Sequence, residues 1–304
     1  MPDARSLIIM LLVCSLGVLG PVLSAVLLNW RKRRARALKR SPLSQELLRP
    51  PGHALREQIE DMRLDGMAEL AVIGMLPPVI VSIHLAQSYL LGSPETVFRT
   101  VVMVIAGAGM FVFSCNRLLK RFRQVDLLRL GLDAEMAVGQ ELDQLMRKGA
   151  AVFHDFPAEN FNIDHVVIST QGVFAIETKG YAKPKREQGV ADAQVTFDGQ
   201  RLRFPTWTTE KPLEQARRQA KWLGKWLSSA IGSPVAVTPV LALPGWYVER
   251  KGRGDVWIFS GKELPKLLSQ RSAQPLSEQD VQRVVHQVEQ RCRNVKPNFR
   301  EDKP

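Results

Sequence analysis

NIDHVVISTQGVFAIETKG, residues 162–180, decides how the rest of the chain is read. Two runs rich in Val, Ile and Phe flank Gln171-Gly172, a turn signal between β-formers that predicts an antiparallel hairpin. Asp164 sits early in the first run, and Glu177 and Lys179 close the second. Alternate residues of a strand share a face, so Glu177 and Lys179 project to one side, and the hairpin can bring Asp164 beside them. Two carboxylates converging next to a lysine can hold Mg²⁺ or Mn²⁺ and a water, while Lys179 orients that water or stabilises charge developing on a phosphate. His165 points to the face opposite Asp164 and reads as structural, as does His154-Asp155 at the end of an earlier run.

Upstream, residues 133–147 (DAEMAVGQELDQLMR) read as a helix. Its apolar positions Val138, Leu142, Leu145 and Met146 cluster on one side of a helical wheel, and Glu135 falls near their centre. A carboxylate on a core-facing stripe needs a partner or an ion, because burying it alone is costly. Glu135 is therefore a candidate for a further contact to the metal or its water.

Further strands are expected at 151–157, around the Asp198-Gly199 turn, in PVAVTPVLALPG and in DVWIFSG. Helices are expected over 212–231, opening with Pro212, and near 262–269 and 277–293. This order predicts an α/β domain, a mixed sheet flanked by helices, over 124–270, followed by a C-terminal helix and tail, 271–304.

GLDAE (131–135), NIDHVVIS (162–169) and GVFAIETKG (172–180) closely resemble the nuclease-related domain, NERD, a branch of the PD-(D/E)xK nuclease superfamily. The resemblance covers roughly residues 128–245 and is strongest over 162–180. It implies a restriction-endonuclease-like fold and a Mg²⁺-dependent phosphodiesterase core, with Asp164, Glu177 and Lys179 as the signature and Glu135 as the helix acid. The family also tends to carry a glutamine in a following helix; Gln215 looks like that position, with Gln219 one turn further as the alternative. Ala134 stands where many relatives show glycine. The implied activity is hydrolysis of nucleic acid, DNA before RNA. The alternative is a non-catalytic module that uses the same fold to hold nucleic acid or a protein.

Lys and Arg number 42 against 30 acidic residues, a formal net charge of +12, and such an excess favours polyanionic partners. Lys183, Lys185 and Arg186, just after the proposed site, are placed to touch phosphates. Arg217, Arg218, Lys221 and Lys225 on the 212–231 helix, with Lys211 just before it, read equally as nucleic-acid contacts or as a solvated face; Trp222 and Trp226 read as core. Cys14, Cys115 and Cys292 form no close pair or zinc spacing. Neither a Ser/His/Asp arrangement nor a phosphate-binding glycine loop is present, which argues against a serine hydrolase or P-loop NTPase.

Residues 1–123 read as a three-helix transmembrane region, with spans at 7–30, 70–91 and 100–119. The basic run RKRRARALKR (31–40) and Lys120-Arg121-Phe122-Arg123 fall on one side, which the positive-inside rule makes cytoplasmic. Residues 31–69 then form a solvated cytoplasmic connector. The first span reads as an anchor, because a cleaved signal peptide carries its basic residues on the other flank. The expected location is the cell (inner) membrane, multi-pass, with the C-terminal domain in the cytoplasm. His84, inside the second span, reads as a packed or interfacial residue.

Overall fold

The computed structural model describes residues 42–43, 45–90, 97–184, 193–269 and 275–297, with scattered positions between 23 and 34. The chain divides into two compact units: residues 1–42, 59–126 and 298–304, and residues 43–58 and 127–297. The expected first span at 7–30 lies largely outside the described residues, as do the 92–96 link and the side chain of His84.

In the first unit, parts of helix α1 (His53–Leu90) and helix α2 (Val97–Asp143) pack as an antiparallel pair. Arg117 and Arg121 both bond Glu69 at 3.0 Å, and Arg121 also meets Asp65 at 2.9 Å. Deeper along the pair, a Cβ on Gly107 would come within 2.6 Å of Ile80 Cδ1, so the helices touch closely there. Helix α1 runs through Pro77-Pro78. By length and composition, His53–Ile83 and Thr100–Lys148 can each cross a membrane. Only 0% and 6% of their most apolar windows are buried, which sets them apart from the core helices of a soluble domain.

The second unit is built on a mixed sheet of strands β2 (Ala151–Pro157), β3 (Asn162–Ser169), β4 (Gly172–Thr178), β8 (Val237–Leu243) and β10 (Trp257–Ser260). Its order is β10-β8-β4-β3-β2, with β2, β3 and β4 antiparallel and β4, β8 and β10 parallel. Every residue of β4 is buried, which explains why GVFAIET reads as a continuous apolar run rather than an alternating one. On one face, Val166, Ile168, Val173 and Ala175 pack against Leu223 and Leu227 of helix α3 (Lys211–Ile231) and Val284 and Val288 of helix α4 (Glu278–Cys292). On the other, Val167, Phe174 and Ile176 meet Val138, Leu142 and Leu145. Each fully buried Leu, Ile or Phe contributes roughly 1.5–3 kcal/mol.

A smaller sheet, order β7-β6-β5-β9, joins β5 (Gln194–Phe197), β6 (Leu202–Arg203), β7 (Thr208–Thr209) and β9 (Tyr247–Arg250). Strand β9 is not legible in the sequence, because YVER lacks an apolar run. Three further expectations about the helices are corrected. The helix read at 133–147 is the end of α2, which begins at Val97, since the change in composition near 120 supplies no breaker. Residues 261–269 form a 3-10 helix, with Pro265 inside it removing a backbone donor. Met146, expected on the apolar stripe, is 48% exposed. From Gln144 the chain tightens to 3-10 geometry, whose three residues per turn rotate it off the stripe.

The stretch 43–58, read as part of a solvated connector, belongs to this second unit. Strand β1 (Leu47–Leu48) pairs with β11 (Arg293–Val295). Arg49 bonds the carboxylate of buried Asp155 at 2.8 Å and Asn294 at 2.8 Å. Asp155 also accepts from the Ala54 N–H at 3.1 Å, in the first turn of α1, and from Asn162 at 3.2 Å. Its φ of 48° is a left-handed conformation that Asp tolerates better than most residues. Removing one partner of a buried pair strands the other charge, at a cost of about 3–5 kcal/mol. Arg49→Ala is therefore expected to destabilise this unit by that amount in denaturant titration of the detergent-solubilised chain, whereas a connector residue would change nothing measurable.

Candidate active site

Strand register places the two signature acids side by side. His165 pairs with Ile176 across β3 and β4, so the next residues outward, Asp164 and Glu177, are direct neighbours on the sheet face that α3 covers. Like charges directly opposite are unfavourable, and the surroundings show how the pair is tolerated. Asp164 Oδ2 accepts from the Thr178 N–H at 2.6 Å. Glu177, 2% exposed, pairs through Oε1 with Lys179 Nζ at 2.5 Å and accepts at Oε2 from Gln219 Nε2 at 2.6 Å.

Glu135 reaches the same place from α2. Gly180 permits this approach: a Cβ there would meet Leu130 O at 2.6 Å and the Ala134 Cβ at 2.7 Å. The methyl of Ala134 is thus accommodated by the absence of one on Gly180. Behind the helix acid lies Gly52, with φ +68°, where a Cβ would strike Leu132 and sit 3.6 Å from Glu135 Oε2.

Burial, followed by the charges of Asp155 and Glu177, pushes the Glu135 carboxyl up from 4.5 to about 8, against a downward pull from Lys179. Burial and then Glu177 and Glu135 hold Asp164 well above the ordinary aspartate range, despite the Thr178 bond. Burial acts to lower Lys179, but the charge and hydrogen bond of Glu177 and the charge of Asp164 outweigh it, so the ammonium is favoured. Negative charge is crowded at one point, and one cation is already built in.

Residues 130–244 match the family model described as "Nuclease-related domain". This segment is a NERD domain. No curated protein and no solved structure matches the chain. The matched segment contains Glu135, Asp164, Glu177, Lys179 and Gln219, and the match supports a nuclease-related function for it.

Within the NERD domain, Gln219 rather than Gln215 bonds the Glu177 carboxylate. Gln219 also donates to Asn162 O at 3.2 Å, and its Oε1 is buried without a partner. Gln215, one turn earlier, is half-buried. The basic residues fare unevenly. Lys183 is exposed beside the site, Lys185 and Arg186 lie outside the described residues, and Arg218 is exposed on α3. Arg217 makes a two-pronged bond to Asp255 at 2.8–3.0 Å, which competes with any phosphate. Trp222 and Trp226 pack around Phe156 beneath Arg291, as core-facing residues should. His165 is buried, its Nδ1 2.9 Å from His154 Nδ1, and His154 Nε2 reaches Asp143 at 3.1 Å.

Among the described residues, no group of three or more His, Cys, Asp or Glu side chains stands ready as a metal-ligand set. Magnesium asks for less: one or two carboxylates, completed by waters and substrate phosphate. Asp164 and Glu177 supply hard oxygen donors of that kind, and their crowded charge suits a divalent ion.

A raised carboxyl pKa means that the folded NERD domain holds a proton the unfolded chain releases. Its contribution is complete below 4.5 and is lost as pH rises toward about 8, by up to about 1.4 kcal/mol per pH unit. Metal-free wild type should therefore lose more melting temperature between these limits than Glu135→Gln; parallel melting curves for the two proteins would show that the carboxyl is not perturbed.

Proposed function

We propose that the NERD domain is a metal-dependent nuclease that hydrolyses phosphodiester bonds of nucleic acid, with DNA the expected substrate, at the cytoplasmic face of the cell membrane. The observation that carries this reading is the meeting of Asp164, Glu177, Lys179 and Gln219 at the end of one strand pair, with the acid of Glu135 pressed toward them. The unburied apolar helices and the basic runs at 31–40 and 120–123 support the membrane assignment.

Asp164 and Glu177, with Glu135 through a water, would hold Mg²⁺ or Mn²⁺, which neutralises non-bridging phosphate oxygens and acidifies water. Lys179 stays protonated through the neutral range, so its Nζ donates to water or phosphate oxygen and does not serve as the base. Glu135, whose carboxyl burial pushes up to about 8, is the side chain suited, once ionised, to take the proton that water loses as its oxygen bonds to phosphorus. The bond from phosphorus to the sugar oxygen breaks, and that oxygen leaves with a proton from solvent. Gln219 fixes the Glu177 carboxylate through its amide N–H.

A second reading has one observation in its favour: both Glu177 oxygens are engaged by protein groups. A module that only holds nucleic acid would bind in a salt-sensitive way without turnover. The purified chain incubated with plasmid and linear DNA in Mg²⁺, Mn²⁺ or EDTA separates the two. Metal-dependent nicking is expected, abolished in Glu177→Ala and Lys179→Ala; folded wild type that binds DNA but never cuts it supports the module. Gln219→Ala should lower kcat more than Gln215→Ala does. As a readout independent of turnover, Mg²⁺ should raise the melting temperature of wild type but not of Glu177→Ala.

A further inference from the structure

Two residues beyond Lys179 the chain enters a cleft of about 260 Å³. Its floor is Phe204 and Trp246, 7% and 3% exposed, and its walls are the half-exposed rings of Tyr181 and Trp207. Tyr181 meets Phe204 and Trp207 edge-on, with centroids 5.2 and 5.0 Å apart. Lys183 and Pro184 form the rim. Phe204 also touches Trp207 and Trp246, with centroids 3.9 and 4.9 Å apart, so the four rings pack on one another and the cleft opens beside them.

The lining narrows what an occupant can be. Aromatic faces accept a planar π system or a cation, but the lining carries Lys183 and no carboxylate, which disfavours a cation. The volume falls below the roughly 300–1,000 Å³ of small-molecule pockets, and so suits one flat ring system. The position ties that ring to the hydrolytic site. Lys179 N–H donates to Ala242 O at 3.0 Å, and Trp246 Nε1 donates to Tyr181 O at 3.2 Å, so the backbone between site and cleft is held at both ends. Two residues reach at most about 7 Å, the scale of one step along a polynucleotide.

We propose that the cleft lined by Tyr181 and Trp207 receives one unpaired nucleobase of the strand whose phosphate lies at Glu177 and Lys179, so that the substrate is single-stranded or locally opened nucleic acid. A base inside a duplex has both faces stacked and cannot enter without leaving the helix. Stacking on aromatic side chains accepts any base, so the cleft selects strandedness rather than sequence. Lys183 at the rim adds an electrostatic contact to a neighbouring phosphate. This assignment rests on the nuclease reading for the phosphate's position, but the cleft's binding can be measured without turnover.

The test uses the 304-residue chain in detergent and a short single-stranded oligodeoxynucleotide, its duplex, and a series in which one abasic nucleotide is moved along the strand. In EDTA, tryptophan fluorescence should be quenched by the single strand, which should bind more tightly than the duplex. Trp207→Ala should raise Kd for the single strand by about 5- to 150-fold, the size of one base–aromatic stack, while Trp207→Phe stays near wild type. In Mg²⁺, a single abasic position relative to the scissile bond should lower kcat/KM, and Trp207→Ala should erase that dependence. A Trp207→Ala protein that melts like wild type and binds the single strand equally well overturns the proposal. So does a flat abasic profile in wild-type binding and cleavage, which needs no variant to fold. If wild type cleaves nothing, the nuclease reading fails, and the binding of the abasic series alone decides the cleft.

Discussion

Antiparallel register between β3 and β4 forces Asp164 and Glu177 into adjacent positions at the end of an otherwise apolar strand pair, and their mutual repulsion governs everything around them. A lysine two residues further along, an amide from α3 and a backbone N–H each take part of the load. Removing both acids would relax the sheet end, as replacement of buried charges by apolar residues often does. The arrangement therefore carries a cost in folding, which the proposed hydrolysis would account for.

The fold is organised to bring three distant segments to that strand end. The hairpin supplies the acids, α3 supplies Gln219, and α2 supplies Glu135 where Gly180 leaves room. Asp155 ties the β2 edge to Arg49 and to the first turn of α1, and its charge helps raise Glu135. The Arg49 bridge thus serves two ends: it fastens residues 43–58 to the sheet and holds a carboxylate near the helix acid.

How much of this was legible follows from the range of each interaction. The hairpin and its acids could be read because period-two alternation and a Gln-Gly turn are local signals. Glu135 could be read because a wheel shows which side of a helix is apolar. Gln219 could not be separated from Gln215: residues four apart share a helix face, and which turn meets Glu177 depends on how far α3 slides along the sheet. Arg49 gave no signal, since its partner lies more than one hundred residues away and a charged residue beside Pro50-Pro51-Gly52 looks like solvent-exposed loop. A helical wheel misplaces Met146, because it carries α geometry past the residue where the helix tightens.

The same charges would also divide the labour of the proposed hydrolysis. An ammonium flanked by Glu177 and Asp164 is kept protonated by its neighbours, so Lys179 is suited to stabilise negative charge and unsuited to accept a proton. A carboxyl pushed toward neutrality by burial and by Asp155 and Glu177 is suited to the opposite task. In the proposed hydrolysis, these two displaced side chains would separate electrostatic stabilisation from proton transfer. A divalent cation bound there would favour the ionised forms of Glu135 and Asp164, opposing the burial and like charge that raise them. In the proposed hydrolysis, metal binding and deprotonation of the acids would be a single linked event, and the site would become competent only when both have occurred.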